Sequence, residues 1–315
     1  MFHRDVVRPL VVGRWPTLPF AAGRIGSGSD ALGLDDAMST DHDWGLRLTL
    51  LVPDAFRGQV QDLLDAALPE SYLGLPVRFE YSGSQAKLHH VDVDSPAGFA
   101  IDRLGFHPCL SPTVFGWLSL TGQAALEVIA GPLFEDHLGE PTRIRESLAW
   151  YPDALWRYLV ACDWARIDEE LPLMSRAGDR GDALGSRVIA SRLADAAVHL
   201  AFLLRRTWAP YSKWRGTFFA RLKGVERLSA HLSEALDART WERRQQAIGD
   251  ALDDLIEIQA STALGARTTR GREAFFDRPY LRVETSIVAD LMSGVLDPVV
   301  RSLPIGLGSI EQQSD

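Results

Sequence analysis

The chain has 315 residues, 46% of them hydrophobic and 24% charged, with a formal charge of −9 and a pI near 5.4. That length holds two modest domains with ordinary cores, and the acidity disfavours a protein that grips nucleic acid chiefly through phosphates. Two cysteines, Cys109 and Cys162, are too few for a disulfide framework and lack metal-ligand spacing, so both are expected as buried thiols. No stretch approaches the ~18 apolar residues that span a bilayer, and the apolar run in MFHRDVVRPLVVGRWP is too short and interrupted for a signal peptide. A cytoplasmic protein without a membrane partner is the expectation.

In chain order, Phe20–Ile25 reads as a strand entering a Gly/Ser-rich turn, Gly26–Ser29. Leu46–Val52 (LRLTLLV), bounded by Gly45 and Pro53, reads as a buried strand. Asp54 is placed to cap a helix through Phe56, Val60, Leu63, Leu64 and Leu68. Pro76–Tyr81 and Leu88–Val93 alternate at period two around Ser82-Gly83-Ser84, which predicts a hairpin. From about residue 114 helical periodicity takes over, in 117–129, 145–167, 182–206 and 241–264, with loops at 178–181 and 268–272. The prediction is an α+β chain, a small mixed-sheet domain over 1–112 followed by a helical domain over 113–315.

The chemistry-bearing passage is RIGSGSDALGLDDAMSTDHDW, Arg24–Trp44. Glycine at Gly28 lets backbone approach a phosphate, Ser29 adds a hydroxyl donor, and a helix starting at Asp30 would turn free N–H groups on the same anion. In a strand, Asp41 and Asp43 share one face, with His42 turned away. Two carboxylates on one face suit Mg²⁺. The bland alternative is a surface loop with an acidic strand edge, but packing gives no reason to lead an apolar strand with two unpaired aspartates.

Gly28-Ser29-Asp30-Ala31-Leu32-Gly33 followed by Thr40-Asp41-His42-Asp43 resembles the signature of the polymerase-beta-like nucleotidyltransferase superfamily. GLDDAMSTDHDWG, with WYPDALW around Tyr151 and APYSKW around Tyr211, resembles more narrowly a family of uncharacterised bacterial and fungal proteins that join such a domain to one of unknown function. The superfamily resemblance covers about residues 20–95 and implies a third carboxylate on a later strand, which shares the metals and accepts a proton. Asp92 in HVDVD is the first choice, Asp94 the second and Glu80 the outside candidate. His89 and His90 read as satisfied hairpin residues.

Arg24 is a phosphate ligand or a structural ion pair, while Asp35 and Asp36 brace the loop. Arg205, Arg206, Lys213, Arg215, Arg221, Lys223 and Arg227 form a local basic stretch against Glu226. It is either a salt-bridged face or a loop, Tyr211–Lys213, that closes on the triphosphate, a use of lysine that the resemblance implies. Glu135 and Asp136 line an acceptor site or cap a helix. The expected activity is Mg²⁺-dependent transfer of a nucleoside monophosphate from ATP or another NTP to a hydroxyl of a small acceptor, releasing pyrophosphate. The alternatives are transfer to protein or tRNA, and a silent nucleotide-binding scaffold.

Overall fold

A computed structural model describes residues 1–35, 45–81 and 84–313. Asp36, Asp41 and Asp43, and the tip of the expected hairpin at Ser82-Gly83, lie outside the described residues. The N-terminal apolar run is helical, a π-helical turn at His3–Val7 running into α1 (Arg8–Arg14). Next come β1 (Ala21–Gly23), β2 (Arg47–Leu51) and α2 (Arg57–Ala67), then the short β3 (Ser71–Tyr72) and β4 (Leu75–Pro76). β5 (Arg78–Tyr81), β6 (Ser84–Asp94) and α3 (Pro96–Leu104) complete the first stretch.

The chain then forms α4 (Val114–Leu118), α5 (Gly122–Ile129), β7 (Leu133–Asp136), α6 (Glu140–Ser147), α7 (Asp153–Asp179), α8 (Ala183–Leu204), α9 (Ser212–Phe219), α10 (Glu226–Asp237) and α11 (Trp241–Ala260). A hairpin of β8 (Arg272–Ala274) and β9 (Leu281–Val283) precedes α12 (Ser286–Ser293) and two single-turn helices, Pro298–Arg301 and Ile310–Gln313. The architecture is α+β, with a five-stranded mixed sheet in the N-terminal half and a mostly helical C-terminal half. No described helix is long and apolar enough to cross a membrane.

Contacts divide the chain into two compact units, Met1–Pro112 with Ala124–Ala149, and Thr113–Gln123 with Trp150–Asp315. The sequence reading assigns all of 113–315 to one helical domain. Instead β7 adds to the sheet as an edge strand antiparallel to β1, and Ala124–Ala149 goes with the first unit.

In that unit the strand order is β5-β6-β2-β1-β7. β2 runs parallel to β6, with Leu48 opposite Val91 and Thr49 opposite Asp92, and antiparallel to β1, with Gly23 opposite Thr49. Alternation sends Phe20, Ala22, Leu48, Leu50 and Val91 into one core with Val7, Val11, Val60 and Leu64 from the helices. Each such Val, Leu or Phe side chain, fully buried, contributes about 1.5–3 kcal/mol. The opposite face carries the row Gly23–Thr49–Asp92.

Local departures from expectation have identifiable causes. Asp54 makes no capping bond, because the chain enters α2 through a 3₁₀ turn at Asp54–Phe56 after Pro53. Its carboxylate meets Arg57 instead, at 3.2 Å. The 117–129 helix breaks into α4 and α5. The 145–167 helix breaks into α6 and α7, where Pro152 takes the N-cap. Cys162 is buried but Cys109 is exposed, its thiol 3.3 Å from the Ser147 hydroxyl.

The second unit is built on an α7–α8 pair joined by α11. Trp156 donates to the Leu203 carbonyl at 2.7 Å and Trp164 to Gln259 Oε1 at 2.8 Å, so both indoles bury without an orphaned N–H. Trp117, Tyr151, Trp150 and Trp208 form one aromatic cluster, with Tyr151 and Trp208 centroids 4.6 Å apart. Around it lies a buried ionic network. His199 Nδ1 is 2.7 Å from Asp163, His199 Nε2 is 3.6 Å from Glu311, and Gln312 donates to Asp163 at 2.7 Å.

Candidate functional site

The Gly/Ser turn issues from β1 and is held by residues far from it in sequence. The Arg24 amide donates to the Pro132 carbonyl at 3.0 Å and the Gly26 amide to that of Glu127 at 2.8 Å. The buried Thr49 hydroxyl donates to the Ile25 carbonyl at 2.9 Å. Arg145, half-buried behind the turn, holds the carbonyls of Val128, Ala130 and Gly131 at 3.1 Å each. These bonds fix the turn's entry without using the amides at its tip.

Gly26 and Gly28 have φ of +96° and +120°, a region that L side chains rarely adopt. A Cβ on Gly28 would sit 2.6 Å from both the Arg24 and the Arg47 guanidinium, so a side chain here would also displace these two ends from their present contacts. Residues Ser29–Gly33 form successive turns. No helix starts at Asp30, which corrects the sequence expectation. Asp30 is instead gripped bidentately by Arg24, whose remaining donors go to the Ile25 and Ser27 carbonyls at 3.0 and 2.7 Å.

Arg24 is therefore a brace of the turn, the structural ion pair that the sequence left open. The Ser29 hydroxyl donates to Asp35 at 2.7 Å, so Asp35 braces the loop. Among the described residues, the amides of Ser27, Gly28, Ser29 and Asp30 donate to no acceptor in the chain. Consecutive backbone N–H groups of this kind, in a turn with positive φ, make an anion-binding concavity.

On β6 the two aspartates differ. Asp94 is ion-paired with Arg57 Nε at 3.1 Å and accepts from the Ser95 amide at 2.7 Å, with 14% of its side chain exposed. Asp92 is exposed, and among the described residues no hydrogen bond or ion pair engages it. Glu80 is exposed on β5, separated from β2 by β6. The two histidines are satisfied. His89 lies 2.7 Å from Asp65, and burial pushes its pKa down. His90 meets the Phe79 carbonyl at 3.1 Å.

Glu135 is occupied by His3 at 2.5 Å and Arg8 at 3.3 Å. Asp136 accepts from the amides of Leu138, Gly139 and Thr142 at 3.1, 2.7 and 3.1 Å, which makes it a cap at the start of α6. Neither is left to line an acceptor site.

Tyr211 and Lys213 belong to the second unit. Both are exposed at the start of α9, with the Lys213 ammonium 5.0 Å from the Trp214 ring centroid. In the basic stretch, Arg206 pairs with Asp153 at 2.8 Å, Arg215 with Asp195 at 2.9 Å and Arg227 with Asp254 at 2.8 Å. Much of that positive charge is thus neutralised locally, as on an ordinary salt-bridged face. Sequence reasoning missed Arg103 and Glu127, which flank the turn from α3 and α5. Nothing in their spacing announces the contact.

No match to this chain is found among curated proteins. Residues 117–215 are similar to one family model, described as a domain of unknown function (DUF4037).

Proposed function

We propose that the first unit carries a Mg²⁺-dependent nucleotidyltransferase site of the polymerase-beta-like type, moving a nucleoside monophosphate from ATP or another NTP to a hydroxyl of a small acceptor. The observation that carries this reading is the turn: four consecutive amides, Ser27–Asp30, without an acceptor among the described residues, follow β1, and only β2 lies between β1 and the strand bearing Asp92. Asp43 precedes the first residue of β2 by four positions in the sequence, so the Asp-x-Asp segment leads into the strand between turn and third acid.

Asp92 supports the reading, as a carboxylate uncommitted among the described residues and of the oxygen-donor type that Mg²⁺ takes, beside the committed Asp94. Mg²⁺ held by Asp41, Asp43 and Asp92 would neutralise charge on the polyphosphate. The turn amides donate to the β- and γ-phosphate oxygens, and the Ser29 hydroxyl exchanges Asp35 for one of them. Asp92 accepts the proton of the attacking hydroxyl as pyrophosphate leaves. The net charge of −9 suits a cationic acceptor better than an RNA backbone. The ion pairs of Arg206, Arg215 and Arg227 weaken the tRNA alternative further.

The test is incubation with Mg²⁺, α-labelled NTPs and cell extract, following label into small molecules, protein and RNA. Wild type is expected to label a small molecule, and Asp41→Ala/Asp43→Ala is expected to abolish the transfer. Equal transfer by the two proteins would remove the reading.

A further inference from the structure

We propose that Arg103 is a phosphate-binding residue of this site, the cation that meets the polyphosphate at the glycine turn; the inference rests on the nucleotidyl-transfer reading. Arg24 is nearest in sequence, but its donors are spent on Asp30 and on two carbonyls of the turn. Arg103 reaches the same turn from the last turn of α3. Its Nη2 lies 3.2 Å from where a Cβ on Gly26 would stand, so the guanidinium rests against the glycine backbone.

Among the described residues the one hydrogen bond of this guanidinium is from Nη1 to the Phe99 carbonyl, at 3.2 Å. Nε is buried without a hydrogen-bond partner, and its nearest carboxylate, Glu127, is 3.8 Å away, beyond hydrogen-bonding distance. The guanidinium is stacked 3.8 Å from the Phe99 ring centroid, which fixes its plane.

A buried donor without an acceptor is costly to a folded protein, so this guanidinium is held here at a cost to stability. Burial opposes the charge on Arg103, and the carboxylates of Glu127, Asp92 and Asp94 favour it. A polyphosphate lying along the Ser27–Asp30 amides would bring anionic oxygens to Nη2, the donor that rests against Gly26. Planar, multiply donating guanidinium suits phosphate better than it suits the single distant Glu127. The ligand class is therefore a polyphosphate tail, and the specificity it confers is for nucleoside triphosphate over monophosphate.

The experiment measures Mg²⁺-ATP, Mg²⁺-pyrophosphate and AMP binding by calorimetry for the full chain, with Arg103→Gln and Arg103→Lys beside wild type. Arg103→Gln is expected to weaken ATP and pyrophosphate binding about tenfold or more while leaving AMP affinity unchanged. Arg103→Lys should recover part of the loss. A purely structural arginine would lower the melting temperature and weaken all three ligands together, which would overturn the inference. Equal ATP and pyrophosphate binding by wild type and Arg103→Gln would also overturn it and leave the nucleotidyl-transfer reading standing. A wild-type protein that binds neither ATP nor pyrophosphate would remove that reading and this inference with it.

Discussion

Asp92→Asn is expected to lower nucleotidyl transfer by about two to four orders of magnitude, the usual worth of a positioned proton acceptor. The fold should hardly notice. Asp92 is exposed and unengaged among the described residues, and substitutions at such positions change stability by about 0.5 kcal/mol or less. Asp94→Asn has the opposite profile. It breaks the 3.1 Å contact with Arg57 and weakens the bond from the Ser95 amide that leads into α3, so it costs stability while retaining transfer. Measuring kcat and melting temperature for both variants separates the roles. A silent Asp92→Asn with an inactive, stable Asp94→Asn would exchange the two assignments.

The largest expected effect on stability is in the second unit, at His199→Gln. His199 is buried between Asp163, itself fully buried, and Glu311 on the C-terminal turn. Burial opposes the imidazolium charge, but the two carboxylates outweigh it and hold the His199 pKa up at about 10. Removing one member leaves Asp163 without its counter-charge in the core, which costs about 3–5 kcal/mol.

The pH dependence follows the same pair. Unfolded histidine releases its proton near pH 6.5 and folded His199 near 10. The stabilisation is therefore complete below about pH 6.5 and is lost progressively as the pH rises towards 10. Urea unfolding of wild type between pH 6 and 10, followed by tryptophan fluorescence, should show this decline, and His199→Gln should flatten it. Trp117, Trp150, Trp156, Trp164, Trp208, Trp214 and Trp241 all lie in this unit, so the signal reports it directly. Equal slopes for the two proteins would contradict the account.

The sheet was legible where period-two alternation is long enough to count. LRLTLLV declared itself by an unbroken apolar run and is buried throughout Leu48–Val52, while in HVDVD Val91 and Asp92 divide between the faces as alternation requires. β7 escaped because Leu133-Phe134-Glu135-Asp136 has no alternation and becomes a strand only by pairing with β1. The break at WYPD escaped because apolar spacing continues across it, while Pro152 cannot continue α6.

At the site, glycine positions flag the turn, yet its internal bonds are set by a left-handed backbone geometry that sequence does not display. Sequence therefore left Arg24 open between phosphate ligand and ion pair, and it clasps Asp30, while Ser29 pairs with Asp35. Arg103 and the His199–Asp163–Glu311 network are tertiary contacts between distant segments, and no local pattern encodes them.

The central claim is that the Ser27–Asp30 turn and the Asp41–Asp43 segment hold one metal–triphosphate between them. Crystals grown with Mn²⁺ and a non-hydrolysable ATP analogue, read by anomalous scattering, test it most directly. The account predicts Mn²⁺ bound by Asp41, Asp43 and Asp92 oxygens, with the β- and γ-phosphates on the turn amides and on Arg103. Manganese bound elsewhere, or a triphosphate seated away from the glycine turn, would contradict it.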